Sequence, residues 1–316
     1  MSKEYDLEED IRCGYIVPEK LKKIWKIQMD LALEVKRICE KHDIQYFIIW
    51  GTLLGAVRHG GDIPWDDDFD IAFLREDYEK FCIAAKKEVN EPYFLQNSLT
   101  DKGYYLPYSR LRNSKTTGII YDNIPFPYNN GVFVDLYPLD VLTENKTLRY
   151  FQFKLRDSFR GICDKYYAKE RGEKYPRSVE IARKLLSYEA VCKCMDKIYR
   201  LGEIFGGSEV GLVYHSVLIK NYKFKKKYIG KVENVKFENV EFSAPQFKEQ
   251  ILEQVYGDYM KLPPVRKRGN WHEGQILYEP DIPFDEFIRR KKKNGYRWSE
   301  YTARNIERKN ETIQEI

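Results

Sequence analysis

The sequence lacks any uncharged run long enough to cross a bilayer. Its longest, Ile44 to Val57, falls well short of the ~20 residues a spanning helix needs and is interrupted by Gly51 and Gly55. Histidine is scarce, with 4 residues in 316, and the six cysteines (Cys13, Cys39, Cys82, Cys163, Cys192, Cys194) include no CxxC pair. A zinc site is therefore not expected, and the thiols read as reduced and buried, as in a cytosolic protein. The acidic start, Met1 to Asp10, has no apolar centre, which argues against a secretory signal. Net charge is only +5, too small an excess for a dedicated nucleic-acid binder. The basic residues still cluster at 220–227 and 289–293, either as solvated faces or as surfaces attracted to an anionic substrate or membrane. A hydrophobic fraction of 43% against 33% charged residues excludes a disordered chain.

Periodicity gives the organisation. A first helix is expected from Pro18, with Leu21, Ile24, Trp25, Leu31, Val35 and Ile38 on one face. Ile44 to Trp50 reads as a buried strand. Thr52 to His59 reads as a short helix capped by Thr52 and ended by Gly60-Gly61. Phe69 to Leu74 reads as a second strand, followed by a helix carrying Tyr78, Phe81, Cys82, Ala85 and Val89. Strands are expected at Tyr104–Leu111 and Val132–Tyr137. Two apolar stripes, Leu148-Phe151-Leu155-Phe159-Ile162-Tyr166 and Ile181-Leu185-Tyr188-Cys192-Met195-Tyr199, predict a helical hairpin with its turn at Arg171–Pro176. Tyr228 to Phe242 reads as two short strands, and a last helix is expected to end at Gly257. No repeat or linker is evident. The expected fold is α+β: an N-terminal segment (1–17), a core (18–142), a helical hairpin insertion (143–210), and the rest of the same domain with a basic tail (211–316).

The chemistry is concentrated in Ile63-Pro64-Trp65-Asp66-Asp67-Asp68-Phe69-Asp70-Ile71. Carboxylates crowded beside an apolar strand repel one another and raise each other's pKa unless a cation is bound. Residues i and i+2 of a strand share a face, so Asp68 and Asp70 point together, roughly 6–7 Å apart. With no nearby His or Cys, these hard oxygens favour Mg²⁺ or Mn²⁺. A helix-capping or calcium-binding acidic loop is the competing reading, but the spacing does not match an EF-hand. Gly51-Thr52 opens the short helix, where free backbone N–H groups can meet a phosphate. A Gly-polar turn followed by an Asp-x-Asp strand resembles the nucleotidyltransferase superfamily. A further acid, Asp135, lies inside the apolar run Val132 to Tyr137, where it serves as third ligand or base, or is satisfied by backbone donors. Asp140 reads as a cap or turn residue.

Together these residues resemble the LicD family of phosphotransferases, with fukutin-related enzymes as distant relatives. The matching text is Trp50-Gly51-Thr52-Leu53-Leu54-Gly55-Ala56-Val57-Arg58-His59-Gly60-Gly61, the Ile63–Ile71 segment, Phe133 to Asp140, and Tyr256-Gly257-Asp258-Tyr259-Met260. The resemblance implies a nucleotidyltransferase-like mixed sheet flanked by helices. It implies a CDP-alcohol donor, CDP-choline or a CDP-polyol, and a glycan or lipid-linked sugar acceptor, with CMP leaving. On that basis Asp68, Asp70 and Asp135 are the expected metal ligands and catalytic acids, with Asp66 behind them. Gly51 and Thr52 are expected to contact the donor phosphate, with Arg58 and His59 nearby. Arg110 and Arg112 share one side of a strand and could steady the leaving phosphate; Lys267, Arg268 and His272 are further candidates. A choline head group would need aromatic rings, for which Tyr104, Tyr105, Tyr108 and Trp271 are available. An NTP-dependent nucleotidyltransferase and an inactive carbohydrate-binding module of the same fold are the competing functions. Work in the cytoplasm, with peripheral attraction to the membrane through the basic clusters, is the expected location.

Overall fold

The computed structural model describes residues 6–120, 128–167, 174–214, 222–269 and 275–293. A small hairpin, β1 (Asp10–Arg12) and β2 (Tyr15–Val17), precedes the long helix α1 (Glu19–Lys41), which starts after Pro18 as expected. Strand β3 (Phe47–Ile48) leads directly into α2 (Trp50–His59). That helix begins two residues before Thr52, which does not cap it; Ile49 holds the cap position without a side-chain bond. Gly60 closes the helix in the left-handed region at φ 72°, the conformation that requires glycine there. Strand β4 (Asp70–Leu74) runs into α3 (Arg75–Glu88), and β5 (Tyr93–Gln96), β6 (Ser109–Asn113) and β7 (Thr117–Ile120) follow. The strand expected from Tyr104 begins only at Ser109. Residues 104–108 instead form a connection packed by its own rings.

Strand β8 (Val132–Leu142) is longer than the apolar run foretold, because it serves two sets of neighbours. Its first half pairs with β6, its second half with β9 (Glu209–Gly211), and its other edge runs parallel to β4. With β3 beside β4, β5 beside β6, and β10 (Lys223–Lys225) beside β9, this makes a mixed seven-stranded sheet. Helices pack against it, so the α+β, nucleotidyltransferase-like fold class stands. Ile71, Ala72 and Phe73 of β4 and Val134 and Leu136 of β8 are fully buried. The core that fixes these strands therefore fixes whatever side chains they carry.

Four helices, not a hairpin of two, fill the insertion: α4 (Lys146–Lys165), α5 (Arg177–Leu185), α6 (Tyr188–Tyr199) and α7 (Leu201–Phe205). The first expected stripe splits along α4: Phe159, Ile162 and Tyr166 pack into the insertion's core, but its first half does not. Phe151 and Leu155 are exposed, while Gln152 and Arg156 are buried because their side chains bond the Ile198, Tyr199 and Val213 carbonyls. The second stripe splits: Ile181 and Leu185 are exposed on α5, whereas Tyr188, Cys192, Met195 and Tyr199 form the insertion's core on α6. Part of the foretold turn, residues 171–173, lies outside the described residues.

Downstream lie α8 (Lys226–Ile229), the hairpin β11 (Val232–Phe237) and β12 (Val240–Pro245), α9 (Lys248–Tyr256), β13 (Ile276–Glu279) and α10 (Phe284–Lys293). Helix α9 ends at Gly257 as expected but is not the last, since α10 follows. Two further expectations fail. Asp140 is buried and clamps Arg75 through both oxygens, at 2.6 and 2.8 Å, instead of capping a turn. Cys13 is exposed, at a positive-φ turn, unlike the buried Cys39, Cys163 and Cys192. No helix among the described residues is long and apolar enough to cross a membrane.

Candidate active site

Register brings the acids together. Asp70 on β4 is the Cα partner of Asp135 on β8, and Asp135 is in turn the partner of Arg110 on β6. Adjacent strands lie about 4.8 Å apart, so carboxylate, carboxylate and guanidinium form one row across three strands. Asp68 and Asp66 precede β4 and reach the start of α2. A Cβ added at Gly51 would lie 2.9 Å from Asp66 Oδ2 and 3.8 Å from Asp68 Oδ1. Only a glycine lets the carboxylates approach that backbone so closely.

Thr52 contributes differently from a cap. Its hydroxyl accepts from the Asp70 backbone N–H at 2.8 Å, tying the first turn of α2 to the acidic strand. Just before Gly51, Trp50 sits at φ 48°, a costly conformation for a bulky residue. Its ring packs edge-on against Tyr137 (5.1 Å) and Tyr222 (5.7 Å). Backbone strain at this point is thus held by aromatic packing.

The electrostatics are uneven along the row. Arg110 Nε donates to Asp135 Oδ1 at 2.6 Å and the Tyr137 hydroxyl donates to Oδ2 at 3.1 Å, so both oxygens of Asp135 are engaged. Asp70 is buried, and its carboxyl is pushed well above the usual range by desolvation and then by Asp68, Asp135 and Asp66. A buried carboxyl among three like-charged neighbours is the donor set that suits a hard divalent cation. No three His, Cys, Asp or Glu side chains among the described residues already stand as a closed metal cage.

Arg110 and Arg112 do share a face, both over the Phe133 ring at 4.0 and 4.6 Å. Their commitments differ. Arg112 donates to Gln96 Oε1 and to the Gly131 carbonyl, both at 2.5 Å, which makes it part of the framework. Burial, followed by the charge of Arg110, lowers its pKa to about 10. Arg110 keeps one buried donor, Nη1, without a partner among the described residues.

Arg58 and His59 stand at the far end of α2, roughly 10 Å along the helix from Gly51. Arg58 donates to the Tyr259 carbonyl (3.0 Å) and to His59 Nε2 (2.9 Å), anchoring the segment after α9. His59 also faces Cys13 Sγ at 3.7 Å and Trp65, and burial followed by the Arg58 charge lowers its pKa to about 4. Arg268 donates to the Cys13 carbonyl and lies over Trp65. Lys267 is exposed, while His272 and Trp271 lie outside the described residues.

Of the expected aromatic set, Tyr108 is close to the row. Its ring is 4.6 Å from Tyr137, and its hydroxyl takes a 3.2 Å bond from Arg110 Nη2. Tyr104 and Tyr105 lie further along the same connection. Sequence reasoning missed Tyr137 and Tyr256. The first was legible as i+2 from Asp135; the second stands in the closing motif, and its phenol is pushed up by burial and then by Asp70, Asp66 and Asp68.

Paired acids on the adjacent interior strands β4 and β8, beside the start of α2, are the arrangement expected of a nucleotidyltransferase-type site. Residues 43–158 match the nucleotidyltransferase domain of the LicD/FKTN/FKRP family. The chain is 27% identical over 251 residues to the lipopolysaccharide cholinephosphotransferase LicD of Haemophilus influenzae, covering 76% of this chain and 92% of that protein. It is 29% identical over 103 residues to the human ribitol 5-phosphate transferase FKRP, 33% of this chain and 21% of the relative. An uncharacterized protein of Rickettsia prowazekii is 35% identical over 114 residues, 34% of this chain and 39% of the relative. The chain is thus similar to LicD-type phosphotransferases, most clearly over residues 43–158.

Proposed function

We propose that this protein moves a phospho-alcohol, phosphocholine or a polyol phosphate, from a CDP-activated donor to a hydroxyl of a cell-surface glycan or its lipid-linked precursor. The observation that carries the reading is the Asp70–Asp135–Arg110 row, with Asp66 and Asp68 against Gly51 in the first turn of α2. Asp68 and Asp70 would hold Mg²⁺ or Mn²⁺, with Asp135 as third ligand or base. Such a cation neutralises diphosphate charge and aligns the attack.

The chain's own residues account for the remaining work. The acceptor oxygen attacks the phosphorus bearing the alcohol, the bond to the bridging oxygen breaks, and CMP leaves with that oxygen. Asp135, placed by Arg110 and Tyr137, is positioned to receive the acceptor's proton. The spare Nη1 of Arg110 is a donor for a phosphate oxygen. Gly51 and Thr52 bring the first turn of α2 to the donor. Peripheral attraction to an anionic membrane through 220–227 and 289–293, and work in the cytoplasm, complete the proposal.

The test is CMP release. Pure protein with CDP-choline or CDP-ribitol, Mg²⁺ and a glycan acceptor should release CMP, and chelation should stop it. Stabilisation by CTP or ATP together with no release from any CDP-alcohol would favour an NTP-dependent nucleotidyltransferase instead.

A further inference from the structure

Helix α3, the 97–108 connection and insertion helix α6 enclose a cavity of about 330 Å³, within the range of small-ligand sites. The rings of Tyr78, Tyr105, Tyr108 and Tyr199 supply much of its wall. Tyr108 also bounds the acid row: its hydroxyl meets Arg110, and its ring packs on Tyr137, which bonds Asp135. Between the cavity and Asp135 thus stand Tyr108 and, behind it, Arg110 and Tyr137.

The wall's charges are already matched. Arg75 is held by Asp140 and Asp196, Glu79 by Arg200, and Lys193 by Glu189. An ionic ligand would have to displace one of these partners, whereas a neutral ligand leaves all of them in place. A hydrocarbon chain would strip water from the Glu79 and Asp196 carboxylates and give nothing in return. A sugar ring satisfies both demands. Its hydroxyls donate to carboxylate oxygens that retain lone pairs, and its C–H face lies against tyrosine rings.

We propose that this cavity holds a neutral sugar ring of the acceptor, so that the helical insertion builds the acceptor half of the site. The acceptor role rests on the phosphotransferase reading; the sugar binding does not. Saturation-transfer NMR on the full chain with methyl hexosides and methyl N-acetylhexosaminides, without donor or metal, reads the binding alone.

Signal is expected from at least one glycoside. It should weaken roughly tenfold or more in Ser98→Phe, whose ring occupies the cavity. It should also weaken in Glu79→Ala, at a partly exposed position. No signal from any glycoside overturns the proposal, as does equal signal in both variants, or displacement of the glycoside by inorganic phosphate or octanol. A chain that binds glycosides yet releases no CMP would defeat the phosphotransferase reading and leave the cavity assignment standing. Phosphotransfer without glycoside binding would do the reverse.

Discussion

Asp70 and Asp135 are register partners across the parallel pair β4–β8, yet of the two only Asp135 has an arginine within bonding distance among the described residues. The asymmetry divides their roles. Asp135 is held in place by Arg110 and Tyr137, whereas Asp70 meets Asp68 and Asp66 and is costly to ionise where it stands. A cation bound at Asp70 would relieve that cost.

Asp70→Asn should therefore abolish turnover while making the metal-free protein more stable. Relief of about 1 kcal/mol of repulsion would raise Tm by roughly 1–2 °C. Mg²⁺ should raise the Tm of the parent chain but not that of the variant. A variant that unfolds would show the carboxyl to be structural.

Arg110→Lys tests the fork. Lysine preserves the charge but cannot offer Asp135, Tyr108 and a phosphate oxygen separate donors in one plane. The rate of CMP release should fall about 10²–10³-fold, the scale of losing one preorganised donor to developing charge. A change of only a few-fold would confine Arg110 to holding the sheet together.

Much of this site was legible before the fold was known, for a physical reason. The alternation Asp66, Asp68, Asp70 beside buried Phe69 and Ile71, and the lone charge of Asp135 in an apolar run, are costs visible in one dimension. The insertion was less legible. On α4, Gln152 and Arg156 face inward because they bond carbonyls distant in sequence, and no local pattern carries that information. Arg58 and His59, expected near the donor phosphate, instead lie a helix length from Gly51, a separation that the expected Thr52–His59 helix already implied. Arg110 and Arg112 looked equivalent until their partners separated them.

Gly51→Ala separates stability from activity. Alanine favours a helix over glycine by about 1 kcal/mol, so stability should hold or rise. Its methyl group would sit 2.9 Å from Asp66 Oδ2, forcing the carboxylate aside. CMP release should fall and the Mg²⁺ concentration needed for half-maximal rate should rise. Unchanged metal dependence would place Asp66 and Asp68 outside the cation site.

His59 gives the chain a pH signature that needs no activity assay. Its imidazole has a pKa of about 4 in the folded protein against an ordinary 6.5, because burial and the Arg58 charge both disfavour the proton. Between these values the unfolded chain binds a proton that the folded chain refuses. Folding stability should therefore fall as pH drops from 6.5 to 4 and be insensitive to this group above that window. His59→Phe preserves a ring against Trp65 but cannot take up the proton, so this contribution should vanish. Urea midpoints at the two ends of the window should show the parent losing about 1 kcal/mol more than the variant, a figure already reduced for the half-exposed position. The rising influence of Asp70 has the opposite sign but is common to both chains, so their difference isolates the imidazole. Equal losses in parent and variant would mean that His59 takes up its proton in the folded state as readily as in the unfolded one.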